Sequence, residues 1–328
     1  MRLARLLQAL TLLGLAALLG LLLLWWRGQL SGGWPLLMLL ALLLHVPAMA
    51  LEFVLQRLVN RGDPAPPAPV GDLLRAWRAE ALGALNIFGW QLPWRWRRFA
   101  DHLPADAPGR RGLVLVHGFV CNRGLWNAWW PTLRARGVPC IALNLEPVFG
   151  SIDRYAPRVE AAVQRITQAT GRPPLLVGHS MGGLALRAWM RSFDGEPRAH
   201  GVVTVGTPHH GTWLARFGLS PNTREMRLAS SWLAALAAQE PAARYRRFTC
   251  FYGHCDNIVF PTSSATLPGA DNRHLAGHAH IHLLRHPEVL RTVLQRLDED
   301  DAPQPAANCR SPGSTAPASI CGSPRTSA

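Results

Sequence analysis

The stretch from Leu175 to Gly183 reads Leu-Leu-Val-Gly-His-Ser-Met-Gly-Gly and constrains the fold more than any other part of the chain. Its apolar start predicts a buried strand, which runs into a Gly-x-Ser-x-Gly pattern centred on Ser180. A sharp turn at this serine would need Gly178 and Gly182, because side chains there would collide across it. A helix is predicted next, since apolar residues recur on one helical face at Met181, Leu184, Ala185, Ala188 and Trp189. A strand, a sharp turn and a helix in succession lift the serine hydroxyl clear of the sheet.

A second motif lies upstream, where Gly112 to Phe119 reads Gly-Leu-Val-Leu-Val-His-Gly-Phe. This pattern predicts a short buried strand that ends in His-Gly. In enzymes with such a serine turn, the loop after this strand donates one backbone N–H to the developing oxyanion, and the residue after the serine donates the other. The two donors are therefore predicted to be Phe119 and Met181, each contributing roughly 2.7–4 kcal/mol to transition-state stabilisation.

Two downstream loops hold candidates for the groups that activate the serine. Residues 248–253 predict a strand, and Asp256 follows in a loop just past its end, where an orienting carboxylate belongs. Asp271 is the nearest competitor, but it lies in a loop rich in Pro and Gly with no predicted strand before it. Residues 277–284 read Gly-His-Ala-His-Ile-His-Leu-Leu and give a histidine loop before a final predicted helix. The chain order is thus Ser, Asp, His.

On these motifs the chain resembles the α/β-hydrolase superfamily, and within it bacterial lipases and esterases. The resemblance covers roughly residues 111–298. It implies hydrolysis of carboxylic esters, lipids included, through an acyl-enzyme on Ser180, with neither a metal nor an organic cofactor. The motifs that carry it are Val-His-Gly-Phe (116–119), Gly-His-Ser-Met-Gly-Gly (178–183), Gly-Thr-Pro-His-His-Gly (206–211) and the loops of Asp256 and His280.

The resemblance also guides the choice of histidine. In lipases of this kind a Leu-Leu pair often follows the triad histidine and starts the last helix, which puts His280 in that register. His278 is the runner-up because Gly-His also recurs in the superfamily, and His282 falls too near the helix start. The predicted triad is therefore Ser180, Asp256 and His280. Acyl transfer or thioester cleavage by the same triad, and a catalytically silent membrane scaffold, stay open as alternatives.

The alternation of predicted strands and helices indicates an α/β fold with a mostly parallel sheet covered by helices on both faces. A longer excursion, residues 212–246, interrupts the alternation. Its apolar residues favour a cap over Ser180, with an ordinary core helix as the alternative. The predicted strands are 113–116, 139–145, 175–178, 201–205 and 248–253, and the predicted helices are 126–133, 152–169, 181–193 and 286–297.

Neither charge nor metal-ligand spacing points to another class of function. The net charge is +14, and all 34 side chains counted as Lys or Arg are arginine. No nucleic-acid-binding motif accompanies this charge, so nucleic acid is not expected as a partner and anionic lipid is favoured. The spacing of the histidines and of the six cysteines matches no recognised metal site, and Cys140 and Cys250 fall in strand-like runs typical of small core residues.

The N-terminus contains two apolar runs without charge, Leu6 to Trp26 and Trp34 to Leu51. Each is close to the ~20 residues that a helix needs to cross a bilayer, and the first is too long for the apolar region of a signal peptide. Arginines flank the pair on its outer sides, and only Arg27 lies between the runs. The two runs therefore predict a multi-pass inner-membrane protein with both ends and the catalytic domain in the cytoplasm.

These observations predict four regions. A hairpin of two transmembrane helices occupies 1–60, a Pro-rich linker with an amphipathic segment 61–110, the α/β-hydrolase domain 111–299 and a disordered tail 300–328. Within the second region, residues 90–99 mix aromatics with arginines, which fits either a segment on the bilayer surface or an edge strand. The oligomeric state is left open.

Overall fold

A computed structural model describes residues 1–299 of the 328-residue chain, so the predicted disordered tail lies outside the described residues. The N-terminal third is helical. Its helices are α1 (Arg2–Trp26), α2 (Trp34–Leu42), α3 (His45–Val59), α4 (Val70–Asn86) and α5 (Leu92–Trp94), and a π-helical turn (Ile87–Gln91) joins the last two.

Helix α1 is the one described helix that is long and apolar enough by itself to cross a membrane. The second predicted span is not one straight helix: α2 and the helix that begins at His45 are bent by 43° relative to each other. Pro47 explains the break, because its ring nitrogen cannot donate a hydrogen bond to the carbonyl of Leu43 and its ring crowds that carbonyl. The region therefore offers one crossing, or two if the bent pair is counted as a single span.

Helices α3 and α4 pack on the rest of the chain. Phe53 of α3 is buried in a small apolar cluster together with Leu73 and Ala76 of α4 and with Cys255 and Ala279. The segment 90–99 contains a short helix and turns, so the edge-strand alternative is wrong. Its Leu92 is fully buried, and Pro93 has no N–H to donate to a strand ladder.

A six-stranded parallel sheet in the order β2-β1-β3-β4-β5-β6 forms the centre of the fold. Its last strand was not predicted, because Asp-Asn-Arg-His is polar throughout and shows no strand pattern. This strand lies at the sheet edge, where it pairs with β5 alone. The strands are β1 (Leu113–Val116), β2 (Cys140–Ala142), β3 (Leu175–His179), β4 (Gly201–Val205), β5 (Phe248–Tyr252) and β6 (Asp271–His274).

Helices cover both faces of this sheet, as predicted. Successive strand residues point into opposite cores: Val114 and Val116 into one, Leu113 and Leu115 into the other. Two helices, α7 and α8, contribute to the first core, and α6 and α11 contribute to the second. The helices of this part are α6 (Trp130–Ala135), α7 (Ala156–Thr170), α8 (Met181–Ser192), α9 (Pro221–Glu225), α10 (Ser231–Ala238) and α11 (Pro287–Asp298).

The excursion 212–246 carries α9 and α10, and one buried ion pair ties it to α8. Arg187 of α8 and Glu240, just after α10, are both almost fully buried, and the guanidinium binds the carboxylate through Nε and Nη2. The same guanidinium donates to the carbonyl of His209 at 2.8 Å, and Tyr245 donates to Glu240 at 2.8 Å. This network holds the excursion and the 206–211 turn on one helix.

Replacement of Glu240 by alanine should lower the free energy of unfolding by about 3–5 kcal/mol, since it leaves a guanidinium buried without its counter-charge. Denaturant titration of the full chain in detergent measures this loss. Asp106→Ala is the matched control, because the Asp106–Arg110 pair is exposed and should contribute less than about 1 kcal/mol. Equal losses in the two variants would contradict the role assigned to the buried network.

Candidate active site

Ser180 occupies a strained turn between β3 and α8. Its φ is +53° and its ψ is −130°, values that a residue with a side chain rarely adopts. The flanking glycines make the turn feasible: a Cβ on Gly178 would lie 2.6 Å from the Gly183 nitrogen, and one on Gly182 would collide with the Val116 carbonyl. The predicted sequence of strand, sharp turn and helix is confirmed.

The loop after β1 lies directly against this serine. A Cβ on Gly118 would be 2.7 Å from the Ser180 Cβ and 3.2 Å from its Oγ, so the backbone of the loop approaches the hydroxyl closely. Phe119, the next residue, lines the same cavity as Ser180. Met181 begins α8, and the backbone N–H groups at the start of a helix form the positive end of its dipole.

His117 fixes the shape of this loop, a role that the sequence motif alone did not reveal. The imidazole is buried and neutral, since burial lowers the pKa of His117 to about 4. Its Nε2 accepts from the Leu145 N–H at 3.0 Å, and its Nδ1–H donates to the Gly118 carbonyl at 2.8 Å. The C=O and N–H of one trans peptide point in opposite directions, so this bond also fixes the direction of the Phe119 N–H.

Asp256 and His280 form a buried pair. The Nδ1–H of His280 donates to Asp256 Oδ2 at 2.8 Å, and the N–H groups of Ile258 and Val259 donate to Oδ1 at 2.9 Å and 2.8 Å. Three donors, two from its own loop and one from the imidazole, thus orient the Asp256 carboxylate. The Nδ1 bond leaves the lone pair of His280 on Nε2, which is the tautomer a general base requires.

The pair lies at the carboxyl-terminal ends of the parallel strands, as the serine does. Ser180 follows β3, Asp256 follows β5 and His280 follows β6, and the carboxyl ends of neighbouring parallel strands meet at one edge. The ring of His280 lies 4.7 Å from the ring of His179, the residue immediately before Ser180. The structure therefore brings the three predicted residues to the carboxyl-terminal end of the sheet.

Opposing effects act on the charge of His280. Burial lowers the pKa of the imidazole, but the Asp256 carboxylate, followed by Glu80 and Glu52, raises it by more, so the net shift is upward. The neighbouring His179 shows the opposite result. Burial, and then the charge of His280, hold its pKa well below its usual value, so His179 stays neutral.

The other candidate histidines have different partners. Nδ1 of His278 bonds to the Ala276 carbonyl at 2.8 Å, and Nδ1 of His282 bonds to Glu80 at 2.9 Å, so neither Nδ1 is paired with Asp256. Asp271 lies in β6 and accepts from Arg273. Of the competing residues, His280 alone is hydrogen-bonded to Asp256 through its ring. His209, in the 206–211 turn, is buried against Thr204, with Nε2 and the hydroxyl 3.0 Å apart.

A cavity of about 330 Å³ opens beside Ser180. Residues 212–226 of the excursion supply much of its wall, and Ile258 and Val259 of the loop after Asp256 also line it, so this part forms the predicted apolar cap. Leu233 of α10 instead packs in the core beside α7 and α8, as the core-helix alternative predicted. The lining is almost entirely apolar, and includes Phe119, Leu214, Phe217, Met226, Ile258 and Val259.

The two cysteines that were predicted as core residues lie in the hydrophobic cores. Cys140 and Cys250 are fully buried core residues, as predicted, and burial raises the pKa of the Cys250 thiol to about 12. Within residues 1–299, no three His, Cys, Asp or Glu side chains are grouped so that they could hold a metal ion.

Solved structures of similar fold include two lipases. A lipase of Bacillus licheniformis in its mature form superposes with a TM-score of 0.52 at 18% identity, over 59% of this chain and 95% of that one. Lipase B of Aspergillus fumigatus superposes with a TM-score of 0.54 at 20% identity, over 63% of this chain and 57% of that one. At these identities the likeness shows the fold. No curated protein matches the chain.

The sequence itself matches the profile of one family. The match covers residues 113–316, from the first strand of the sheet past its last helix, and thus more than half of the chain. The parallel sheet, the strained serine turn after β3 and the loops after β5 and β6 all lie within it. This protein belongs to the alpha/beta hydrolase family.

Proposed function

We propose that this protein is a membrane-anchored serine hydrolase that cleaves carboxylic esters of the lipase or esterase type. The observation that carries the proposal is the buried Asp256–His280 hydrogen bond of 2.8 Å at the sheet edge where Ser180 adopts its strained turn. A serine hydroxyl is a poor nucleophile until an oriented imidazole takes its proton, and the bond to Asp256 supports His280 as that imidazole.

In the proposed acylation step, Ser180 Oγ attacks the ester carbonyl carbon and its proton passes to His280 Nε2. The carbonyl electrons move to the oxygen, which accepts hydrogen bonds from the N–H groups of Phe119 and Met181. Asp256 stabilises the imidazolium that forms. The C–O bond to the leaving alcohol then breaks, the alcohol takes the proton from His280, and an acyl-enzyme remains on Ser180.

Deacylation repeats the sequence with water as the nucleophile. His280 takes a proton from the water, the hydroxide adds to the acyl carbon, and the tetrahedral intermediate collapses to a carboxylic acid. Ser180 Oγ regains a proton from His280. In such sites the loss of one oxyanion donor slows turnover by about 10²- to 10³-fold, so the fixed direction of the Phe119 N–H is a substantial part of the proposed mechanism.

The cavity beside Ser180 supports an apolar acyl group as the substrate. Burial of hydrocarbon contributes about 0.8 kcal/mol per CH₂, so a wall of Leu214, Phe217 and Met226 favours an acyl chain over a short polar acid.

We also propose that residues 1–60 form a membrane hairpin with the catalytic domain in the cytoplasm. Both ends of the hairpin contact the catalytic domain: the Arg2 backbone N–H donates to Glu146 at 2.8 Å, and Asn60 bonds to Thr262 at 2.9 Å. Helix α1 also packs on α2 where Gly14 approaches Leu42. A return of the chain to its starting side supports two crossings, the second of them bent.

Replacement of Ser180 by alanine should lower the hydrolysis of p-nitrophenyl esters by roughly 10⁴- to 10⁶-fold, because only the oxyanion donors and substrate binding remain. A series of acyl lengths on the wild type identifies the ester to use. Ser192→Ala, at the exposed end of α8, is the matched control and should keep wild-type turnover. Substantial activity in a folded Ser180→Ala protein would refute the assignment of the nucleophile.

Replacement of His280 by alanine should be nearly as damaging as Ser180→Ala, because the serine then has no base. His278→Ala serves as the control, since that ring bonds only to the Ala276 carbonyl in the loop and packs on His286. Initial rates on one ester, with folding checked by circular dichroism, compare the two. An inactive His278→Ala beside an active His280→Ala would move the base by two residues.

A reporter fused after Arg61 should behave as cytoplasmic, because arginines flank the two apolar runs on their outer sides. Green fluorescent protein at this site should fluoresce, and alkaline phosphatase there should be inactive. The matched fusion in the turn at Gly32 should give the reverse pattern. High phosphatase activity after Arg61 would overturn the proposed orientation.

A further inference from the structure

Helix α4 carries a buried carboxylate that contacts the residues directly after His280. The Glu80 side chain is 2% exposed. Its Oε1 accepts from the Ile281 backbone N–H at 2.9 Å, and its Oε2 accepts from the His282 Nδ1–H at 2.9 Å. The Ile281 N–H and the His282 imidazole are therefore both bonded to one carboxylate, which lies 201 residues from Ile281 in sequence.

The close approach of α4 to this loop depends on a small residue. A Cβ on Gly83, one turn after Glu80, would lie 2.7 Å from Cε1 of His282. The helix surface at this point is shaped to accept the imidazole, so the loop 280–282 is seated against α4 by packing as well as by hydrogen bonds.

A second carboxylate is linked to the backbone of His280 through Asn257. Glu52 of α3 accepts from Nδ2 of Asn257 at 2.7 Å, and Oδ1 of Asn257 accepts from the His280 N–H at 3.3 Å. Asn257 is fully buried and adjacent to Asp256. Helix α3 is thus bonded to the loop of the proposed acid, and helix α4 is bonded to the loop of the proposed base.

We propose that Glu80 is a positioning residue for the proposed reaction: it holds the loop 280–282 in register and keeps a negative charge beside His280. The inference rests on the proposed function of Ser180 and His280. A carboxylate that accepts a backbone N–H makes a charge-assisted bond, stronger than a neutral one, and a displacement of a catalytic group by 1 Å can reduce the rate by about 10²-fold. Glu80 lies outside residues 113–316, so the family profile does not include it.

The charge of Glu80 has a consequence that packing alone would not have. The groups that face His280 are Asp256 after β5, Glu80 of α4, Glu52 of α3 and His179 of β3. Burial lowers the pKa of His280, and the three carboxylates together raise it above its usual value. His280 must be neutral to act as a base, so removal of the Glu80 charge should lower this pKa and move the acidic limb of the rate profile to lower pH.

The test measures the rate at which a fluorophosphonate labels Ser180 in the full chain, from acidic to neutral pH. Glu80→Gln keeps an oxygen that can accept from the Ile281 N–H but removes the charge, so its acidic limb should move to lower pH. Glu80→Ala loses both bonds, and its plateau rate should fall by about tenfold or more. Asp106→Asn neutralises an exposed carboxylate and should match the wild type in both respects.

The outcomes separate the two proposals. A wild-type protein that is not labelled contradicts the proposed function itself. If the wild type is labelled, a folded Glu80→Gln protein whose acidic limb stays at the wild-type pH overturns the role of Glu80, whatever its plateau rate. If Glu80→Ala fails to fold by circular dichroism, the comparison of Glu80→Gln with Asp106→Asn still decides the question.

Discussion

The positive φ of Ser180 is the constraint on which the rest of the site depends. A non-glycine residue in this region costs about 1–3 kcal/mol, so the surrounding structure must impose it. Here the Ser180 N–H donates to the Val205 carbonyl of β4 at 2.9 Å, and the glycines on either side let α8 pack against β1 and β3. The fully buried strands supply the packing energy that keeps this turn in place.

The same turn explains why much of the site could be predicted from the sequence. Gly178 and Gly182 are required by contacts within a few residues of the turn, so the local pattern contains the information. Asp256 was predicted from its place just past a predicted strand, whereas His280 was predicted from the family register, because the strand before it was not predicted. The catalytic roles of these residues stay predictions that the proposed variants address.

What could not be predicted depends on contacts between distant segments. Strand β6 has no apolar pattern because it is an edge strand, and its extended conformation depends on the hydrogen bonds to β5. The bend in the second apolar run comes from Pro47, which an average over hydrophobicity does not register. Glu80 reads as one polar position on an amphipathic helix, and only the folded chain shows that it faces the loop after His280.

The N-terminal helices and the Pro-rich segment after them make hydrogen bonds to the hydrolase domain. Gln56 of α3 donates to the His254 carbonyl, and Asp63, within the Pro-rich segment, accepts from the Ser263 N–H at 3.1 Å. These contacts fall on both sides of the Asp256 loop. The proposed membrane hairpin and the segment after it are therefore bonded directly to the residues on either side of Asp256.

The carboxylates around His280 have two opposing effects on the proposed reaction. In the proposed mechanism, negative charge near the imidazole stabilises the imidazolium that forms as the serine attacks, which lowers the barrier in the buried site. The same charge raises the pKa of His280 and so reduces the fraction of neutral base at a given acidic pH. Burial opposes this rise, and His179 packs beside the ring as a neutral group whose own pKa is held low. A base that is neutral before the attack and well stabilised after it needs both effects, and here the stabilising charges come in part from helices outside the hydrolase domain.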